Sequence, residues 1–500
     1  MKLEIIDMID DGRCVAKYEG KTVFVDGGSV GEIIEAKKIK EKKNLIFATK
    51  TKTIQQSPHK QEPLCPHFYE CDGCSMQDIT YEKELEIKKD SVLNKLQRIA
   101  KLDIKDVDIL TNAEYYYRNK VDLKVENGKL GYYNRKTHNL TQISTCKIAS
   151  TAINEMINWL GNHDLNGVSE IKIRSNYNDD IQISLDYLSD KLLENLKSVE
   201  SIVEIYEKKK NFDLIYRKKQ FVDKIGDLSF IISPKSFFQV NKYNTSLLYD
   251  TAKQMMNAEA NDRILDLYCG IGTTTMYIGN GNNTIGVEVV KDAVKDANEN
   301  KKLNNLESIQ FIEEKSENVV GKLTQKHFDI ILVDPPRKGM DEKVVDAIIK
   351  STAKKLVYIS CDPATLARDL KALTENGFAV RDVKLVDMFA KTMHVETVAL
   401  LYKLNTEHHL DIEIGEDELS EIDFSKDATY GEIKKYVLDK YGLKVSSLYI
   451  AQIKRKHGLI ERENYNFSKK ENQRVPNCPE EKEKAIEDVM CTQKTGHINI

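Results

Sequence analysis

From about residue 237 onward the apolar positions gather into short runs separated by amphipathic, helix-length stretches. The runs fall at 263–267, 284–287, 309–312, 329–333, 356–360 and 395–402. Continuous apolar runs of that length, alternating with helices, predict a doubly wound parallel sheet covered on both faces. The first 55 residues have another rhythm. Apolar and polar residues alternate at 14–16, 22–25 and 32–34, with turn signals at Asp11-Gly12 and Asp26-Gly27-Gly28, as in a small all-β barrel. Residues 56–80 carry Pro58, Pro63 and Pro66 and read as loop, followed by a helix over 81–100. Residues 105–230 read as α+β, with a strand at 120–125.

Beyond residue 404 the character changes again. Residues 411–423 are acidic and predict a linker, and 430–458 read as two helices turning at Gly442. The second ends in Lys454-Arg455-Lys456, an outline compatible with a helix-turn-helix, although short helix pairs more often only pack. The polar tail from Asn466 is expected to be disordered. The organisation expected is a multi-domain α/β chain: a small β-barrel over 1–55, a cysteine-bearing α+β segment over 56–235, a Rossmann-like domain over 236–404 and a small helical extension over 405–500.

Composition changes this picture little. A hydrophobic fraction of 41% and a charged fraction of 31% describe a globular protein. No stretch approaches the roughly 18–20 apolar residues that span a bilayer, and the N-terminus lacks a signal-peptide core, so a cytoplasmic protein without membrane partners is expected. The net charge of −4 does not itself call for nucleic acid. One local basic run, from Lys37 to Lys43, reads equally as a solvated strand edge or a phosphate-tracking surface.

Three motifs carry chemistry. Residues 264–267 run into Tyr268-Cys269-Gly270-Ile271-Gly272, a strand, a glycine turn and a helix start. Glycines let the backbone approach a ligand, and Glu288, closing the next strand, can accept hydrogen bonds from a ribose diol. The missing third glycine argues against a dinucleotide, and Asp334-Pro335-Pro336 downstream fits S-adenosylmethionine better than NAD. Arg337 stands where DNA and protein amino-methyltransferases place an aromatic residue, which favours ring-carbon over exocyclic-amine methylation. Finally, Ser360-Cys361-Asp362-Pro363 puts a thiol at a strand end, where it reads as a nucleophile beside a cofactor or as a buried structural cysteine.

Cys65, Cys71 and Cys74 cluster, and Cys146 follows some seventy residues later. Zinc is the usual partner of four cysteines, but its sites come as two close pairs, whereas three clustered thiols and a distant fourth suit an iron–sulfur cluster.

Taken together, Phe237-Phe238-Gln239-Val240-Asn241, residues 266–272, 334–339 and 360–366, and His394-Val395-Glu396 resemble the RNA uracil-5-methyltransferases over residues 1 to about 404. The resemblance implies that the barrel is an RNA-gripping TRAM domain of the oligonucleotide/oligosaccharide-binding kind. It further implies that Gln239, Tyr268, Glu288 and Asp334 line the S-adenosylmethionine pocket, that Cys361 is the nucleophile and that Glu396 is the general base. Members acting on ribosomal RNA carry a four-iron cluster on the pattern matched by Cys65, Cys71, Cys74 and Cys146. The barrel and these cysteines point to 23S ribosomal RNA rather than tRNA as the partner, with 5-methyluridine as product. Phe237, Phe238, Tyr132 and Tyr133 are candidate stacking surfaces, though core packing accounts for at least two of them. Two positions depart from the family: Ala390 stands where a proline is common, and Lys315 where an acid is often found. An inactive methyltransferase fold that binds nucleic acid through its C-terminal helices is the reading from another class.

Overall fold

The computed structural model describes residues 1–9, 11–134, 137–316, 318–319 and 327–404, and further on 430–446, 449–450, 452–453, 478–479 and 482–486. It divides into two units, Met1–Lys403 and Leu404–Ile500.

In the first unit, residues 1–55 form a six-stranded sheet. The N-terminal segment lies at both of its edges: Lys2–Glu4 pairs antiparallel with Ile33–Lys42, and Asp7–Met8 pairs with Cys14–Tyr18. One continuous segment thus reaches both edges of the sheet, and Leu3, Val23, Val25 and Ile34 are buried in its core. The basic run lies in the exposed half of Ile33–Lys42, where Lys38 pairs with Glu41.

The expected helix forms over Tyr81–Lys95 and widens into a π turn at Leu96–Ala100, stopped by Lys101 at φ 59°. A seven-stranded sheet follows between Lys120 and Arg217, with Thr151–Gly161 and Asp190–Lys197 packing on it through Ile153, Ile157 and Leu196.

The third sheet carries the chemistry. Its eight strands run in the order Ile309–Glu313, Asn283–Glu288, Arg263–Leu267, Ile330–Val333, Lys355–Ser360, Glu396–Lys403, Phe378–Val386 and Asp108–Leu110. The first five are mutually parallel, and Glu396–Lys403 is inserted antiparallel beside Lys355–Ser360. The outermost strand, Asp108–Leu110, comes from the stretch read as central α+β; three residues are too few to carry a periodicity that could have shown this.

In the second unit, helix Tyr430–Tyr441 ends at Gly442, whose φ of 66° permits the reversal and whose N–H bonds Leu438 O at 2.9 Å. Ser446 Oγ accepts from Tyr449 N at 3.2 Å, capping the next helical stretch. Ile433, Val437, Ile450 and Ile453 share a core with Ala485 and Ile486. The last pair corrects the expectation of a wholly disordered tail: residues 482–486 are helical and supply apolar groups to that core, which the polar surroundings mask in the sequence. The acidic stretch 411–423 and Lys454-Arg455-Lys456 lie outside the described residues. No helix among the described residues is long and apolar enough to cross a membrane.

Candidate active site

Strand order reverses at Arg263–Leu267, which has Asn283–Glu288 on one side and Ile330–Val333 on the other. Ligands of open parallel sheets sit at the carboxyl ends of strands at such a point. The chain leaves this strand through Tyr268 at φ 68°, with the N–H groups of Tyr268 and Cys269 both bonding Val287 O at 3.0 and 3.1 Å. Gly270 and Gly272 also have positive φ, but for different reasons. A Cβ on Gly272 would lie 2.6 Å from Phe311 Cζ, so that glycine lets the turn pack against a side chain of the edge strand Ile309–Glu313. A Cβ on Gly270 would meet nothing within 4 Å; that side of the turn faces open space. Glu288 Oε2 accepts the Gly270 N–H at 3.1 Å, and Oε1 accepts Val289 and Val290 N–H at 2.8 Å each. Backbone bonds therefore fix this half-buried carboxylate beside the turn.

Below the turn lies a group the sequence reading did not single out. Asp266 is fully buried, and its Oδ2 accepts from Thr274 and Thr275 at 2.7 and 2.6 Å. Its Oδ1 has no hydrogen-bond partner. Burial, reinforced by the Glu288 charge, pushes Asp266 up to about 7. Asp334, half-buried after Ile330–Val333, is likewise pushed up to about 7 by loss of hydration and by Asp266. Tyr249 joins this group, its hydroxyl 3.1 Å from Thr273 Oγ1 and in contact with Gln239; burial and Asp334 hold its proton on. Gln239 is buried, and its main-chain carbonyl accepts from Asn119 at 3.1 Å. An orphaned acidic oxygen, an open glycine turn and a backbone-held glutamate fit a ligand with a cationic amino-acid end and a ribose.

The thiol and the last strand meet through sheet register. Lys355–Ser360 and Glu396–Lys403 pair antiparallel with Ser360 opposite Thr397, so the next residue of one strand, Cys361, comes level with the first of the other, Glu396. Helix Pro363–Glu375 begins directly after the thiol, with Asp362 Oδ1 accepting from Ala364 and Thr365 N–H at 2.9 Å each. Thr365 Oγ1 in turn donates to Arg337 O at 3.1 Å, tying the Asp-Pro-Pro-Arg loop to this helix. Burial pushes the half-buried Cys361 up to about 12, with Glu396 and Asp334 adding to it and Arg337 opposing. Glu396 is 4% exposed, and its Oε2 accepts no hydrogen bond. Burial and the neighbouring Asp334 push Glu396 up to about 8, again against Arg337. Cys361, Glu396, Asp334 and Arg337 thus form one electrostatic group. Phe237 stands 68% exposed nearby in sequence to Gln239, whereas Phe238 is buried against Phe230, and of the tyrosine pair only Tyr133 is exposed.

Cys65, Cys71, Cys74 and Cys146 are all free thiols. Burial pushes Cys71 up to about 11 and Cys74 up to about 12, with Cys146 and Cys65 adding to the rise in both cases and Cys71 adding to that of Cys74. The four therefore lie within electrostatic reach of one another. Among the described residues, however, no three or more His, Cys, Asp or Glu side chains converge as a group that could hold a metal ion.

An α/β methyltransferase that uses S-adenosylmethionine is the class this sheet and cleft define. The chain matches the model of the tRNA (uracil-5-)-methyltransferase family over residues 80–404 and belongs to that family. It is 33% identical over 447 residues to an RNA methyltransferase of Clostridium acetobutylicum, covering 81% of this chain and 97% of the relative. An RNA methyltransferase of Oceanobacillus iheyensis is 35% identical over 436 residues, covering 79% and 95%. Among solved structures, the Pyrococcus abyssi tRNA (uracil-54, C5)-methyltransferase with S-adenosyl-L-homocysteine superposes with a TM-score of 0.66 at 23% identity, covering 80% of this chain and all of that one. The protein is an S-adenosylmethionine-dependent RNA (uracil-5-)methyltransferase.

Proposed function

We propose that this enzyme makes 5-methyluridine in 23S ribosomal RNA through a covalent adduct between Cys361 and uracil C6. The observation that carries the mechanism is the register that sets Cys361 level with Glu396, beside Asp334 and Arg337. Uracil C5 is not nucleophilic enough alone. The Cys361 thiol loses its proton to solvent, and addition of the resulting thiolate to C6 moves the C5–C6 π electrons toward C4 as an enolate, with charge on O4. C5 then takes the methyl group, which bound S-adenosylmethionine supplies as an electrophilic sulfonium carbon. Glu396 removes the C5 proton, the electrons re-form the C5–C6 double bond and the Cys361 sulfur leaves. A carboxyl pushed up to about 8 is a stronger base than an ordinary glutamate and lies near working pH. In the free protein burial, and after it Glu396 and Asp334, disfavour the Cys361 thiolate, and the Arg337 cation is the counterweight that favours sulfur attack.

Gln239, Tyr268, Gly270, Glu288 and Asp334 would hold S-adenosylmethionine, Glu288 through the ribose hydroxyls, with the unpartnered Asp266 oxygen available as a further acceptor. The barrel of residues 1–55 acts as a TRAM domain, its exposed lysines tracking phosphates. Cys65, Cys71, Cys74 and Cys146 would hold a four-iron cluster as its thiolate ligands, the reading supported by four thiols close enough to raise one another. A tRNA substrate is the second reading, favoured by the family description and by the tRNA enzyme whose fold this chain shares.

The test is covalent trapping. Protein and S-adenosylmethionine are mixed with 5-fluorouridine fragments of 23S ribosomal RNA and of tRNA. Fluorine at C5 cannot leave as a proton, so a methylated Cys361 adduct persists and the trapped fragment identifies the substrate. An adduct that survives Cys361→Ala, or none on any RNA, sinks the mechanism; trapping of tRNA fragments alone replaces the ribosomal assignment.

A further inference from the structure

Glu396 is preceded by a strap, residues 387–391, that is fastened at every carbonyl. Asp387 O accepts from Asn244 Nδ2 at 2.7 Å and Met388 O from Asn241 Nδ2 at 3.0 Å. Phe389 O accepts from Lys88 Nζ at 3.3 Å, and Ala390 O from the buried Tyr117 hydroxyl at 2.8 Å. Lys391 O accepts from the N–H groups of Ser75 and Met76 at 2.9 and 3.2 Å. Five consecutive carbonyls are thus held by groups from three distant parts of the chain, an arrangement that fixes the path of the backbone rather than merely burying it.

Charges are sunk into the same strap. Lys88 lies 2.7 Å from both Glu84 Oε1 and Asp387 Oδ1, all three fully buried. Lys391 is also fully buried: its Nζ is 3.3 Å from Glu84 Oε2 and 2.8 Å from the partly exposed Glu114, and it lies 4.5 Å from the Tyr81 ring centre. Its own N–H donates to Glu84 Oε1 at 2.6 Å. Its backbone sits at φ 69°, a conformation that a lysine adopts at a cost and keeps only where the surroundings over-determine it. This strained, charged and dehydrated residue lies five positions before Glu396. Local strain of this kind collects where geometry matters for function.

We propose that Lys391 is a positioning residue for Glu396, its ion pairs with Glu84 and Glu114 locking the strap so that the carboxylate stands level with Cys361. The proposal rests on the reading of Glu396 as the base that releases the Cys361 adduct. It predicts a specific failure: with the strap loosened, sulfur addition and methylation still occur, but proton removal from C5 lags and the methylated adduct accumulates. A misplacement on the order of 1 Å at a reacting group lowers turnover by about 10²-fold.

The experiment compares the full-length parent, Lys391→Met, Glu114→Gln and Glu396→Gln on a substrate RNA carrying ordinary uridine. Denaturing gels score the covalent protein–RNA species, and kcat and KM for the RNA are measured in parallel. The expected result is that Lys391→Met accumulates adduct as Glu396→Gln does, with kcat down about 10²-fold and KM within about twofold of the parent. Should Lys391→Met fail to fold, Glu114→Gln decides, with adduct accumulating at a smaller loss of kcat. Adduct in Glu396→Gln alone, with the Lys391 and Glu114 variants turning over like the parent, overturns the proposal and leaves the base assignment standing. No adduct in Glu396→Gln removes the base assignment and the proposal with it.

Discussion

Replacing Lys88 by methionine isolates the cost of the charges buried beneath the active-site strap. Methionine keeps the unbranched stem, so packing changes little. What disappears is one positive charge lying 2.7 Å from each of two fully buried carboxylates. Removing one partner of a buried ion pair costs about 3–5 kcal/mol, because the remaining charge is dehydrated and uncompensated. Lys391, 3.3 Å from Glu84 Oε2, still offsets part of the Glu84 charge, and the Tyr81 hydroxyl still donates to Asp387 at 2.8 Å. The lower end, about 3 kcal/mol, is therefore expected at pH 8. The pH dependence has a definite sign. Glu84 is already held above the ordinary carboxylate range by burial, and losing Lys88 raises it further. Stability tied to a folded-state pKa raised above the unfolded one is present at low pH and is lost as pH rises through the folded value. The penalty of Lys88→Met should thus shrink as pH falls from 8 toward 5. Amide exchange is the suitable assay, because a chain of several units need not unfold in one step. Protection factors across helix Tyr81–Lys95 should fall by about two orders of magnitude at pH 8, the equivalent of about 3 kcal/mol. Protection within threefold of the parent at pH 8, or a loss that does not change with pH, would refute the account of a buried charge network.

Other outcomes follow from the cleft. With Glu396 pushed up to about 8, only about a tenth of it is ionised at pH 7, so the rate of methylated-adduct release in a single turnover should climb from pH 6 through 8 and level about one pH unit above. Asp334→Asn removes the neighbouring charge that raises Glu396 and should move the inflection to lower pH, read from the profile of whatever activity remains. Gly286→Ala brings a Cβ to 2.7 Å from Phe311 Cδ1 and from Thr275 Oγ1 in the strand bordering the glycine turn; KM for S-adenosylmethionine should rise, with about 1–3 kcal/mol of overpacking seen in urea titrations. Anaerobically purified protein should show the visible absorption of an iron–sulfur cluster, and Cys146→Ser should abolish it; a colourless parent holding zinc by metal analysis would replace the cluster.

The sheet was legible in the sequence because buried parallel strands must be apolar on both faces, so 263–267 and 356–360 stand out as runs of the right length. The motif residues at strand ends were legible for the same reason: a strand end is where such a run stops. What stayed hidden depends on side chains brought together from far apart. Asp266 reads as one more residue of an apolar strand, and only its lone buried oxygen marks it out. Lys88 sits in a helix that looks like a solvated one, its sequence Lys-Glu-Leu-Glu-Ile-Lys-Lys-Asp giving no amphipathic stripe. Its burial follows from Asp387, nearly three hundred residues away, and no local periodicity carries that. Arg337 was legible as a departure from the aromatic residue of amino-methyltransferases, but its place opposite Cys361 and Glu396 needed the folded loop.

The direction of one strand explains why the base needs such support. In a fully parallel sheet the residues at the cleft are those where strands end, and the helix that follows anchors each of them, as helix Pro363–Glu375 anchors Cys361. Glu396–Lys403 runs the other way, so the cleft receives its first residue, not its last. That residue has the strand behind it but a loop before it, and a loop has no ladder to fix its direction. The loop here returns from Phe378–Val386 along the rim of the sheet and must deliver Glu396 level with the thiol. Hydrogen bonds to each carbonyl from 387 to 391, with Lys88 and Lys391 driven in beneath them, replace the missing ladder. On this argument the requirement falls on the loop that feeds an antiparallel strand into the cleft, and loosening the strap should impair release of the adduct well before it impairs binding of either substrate.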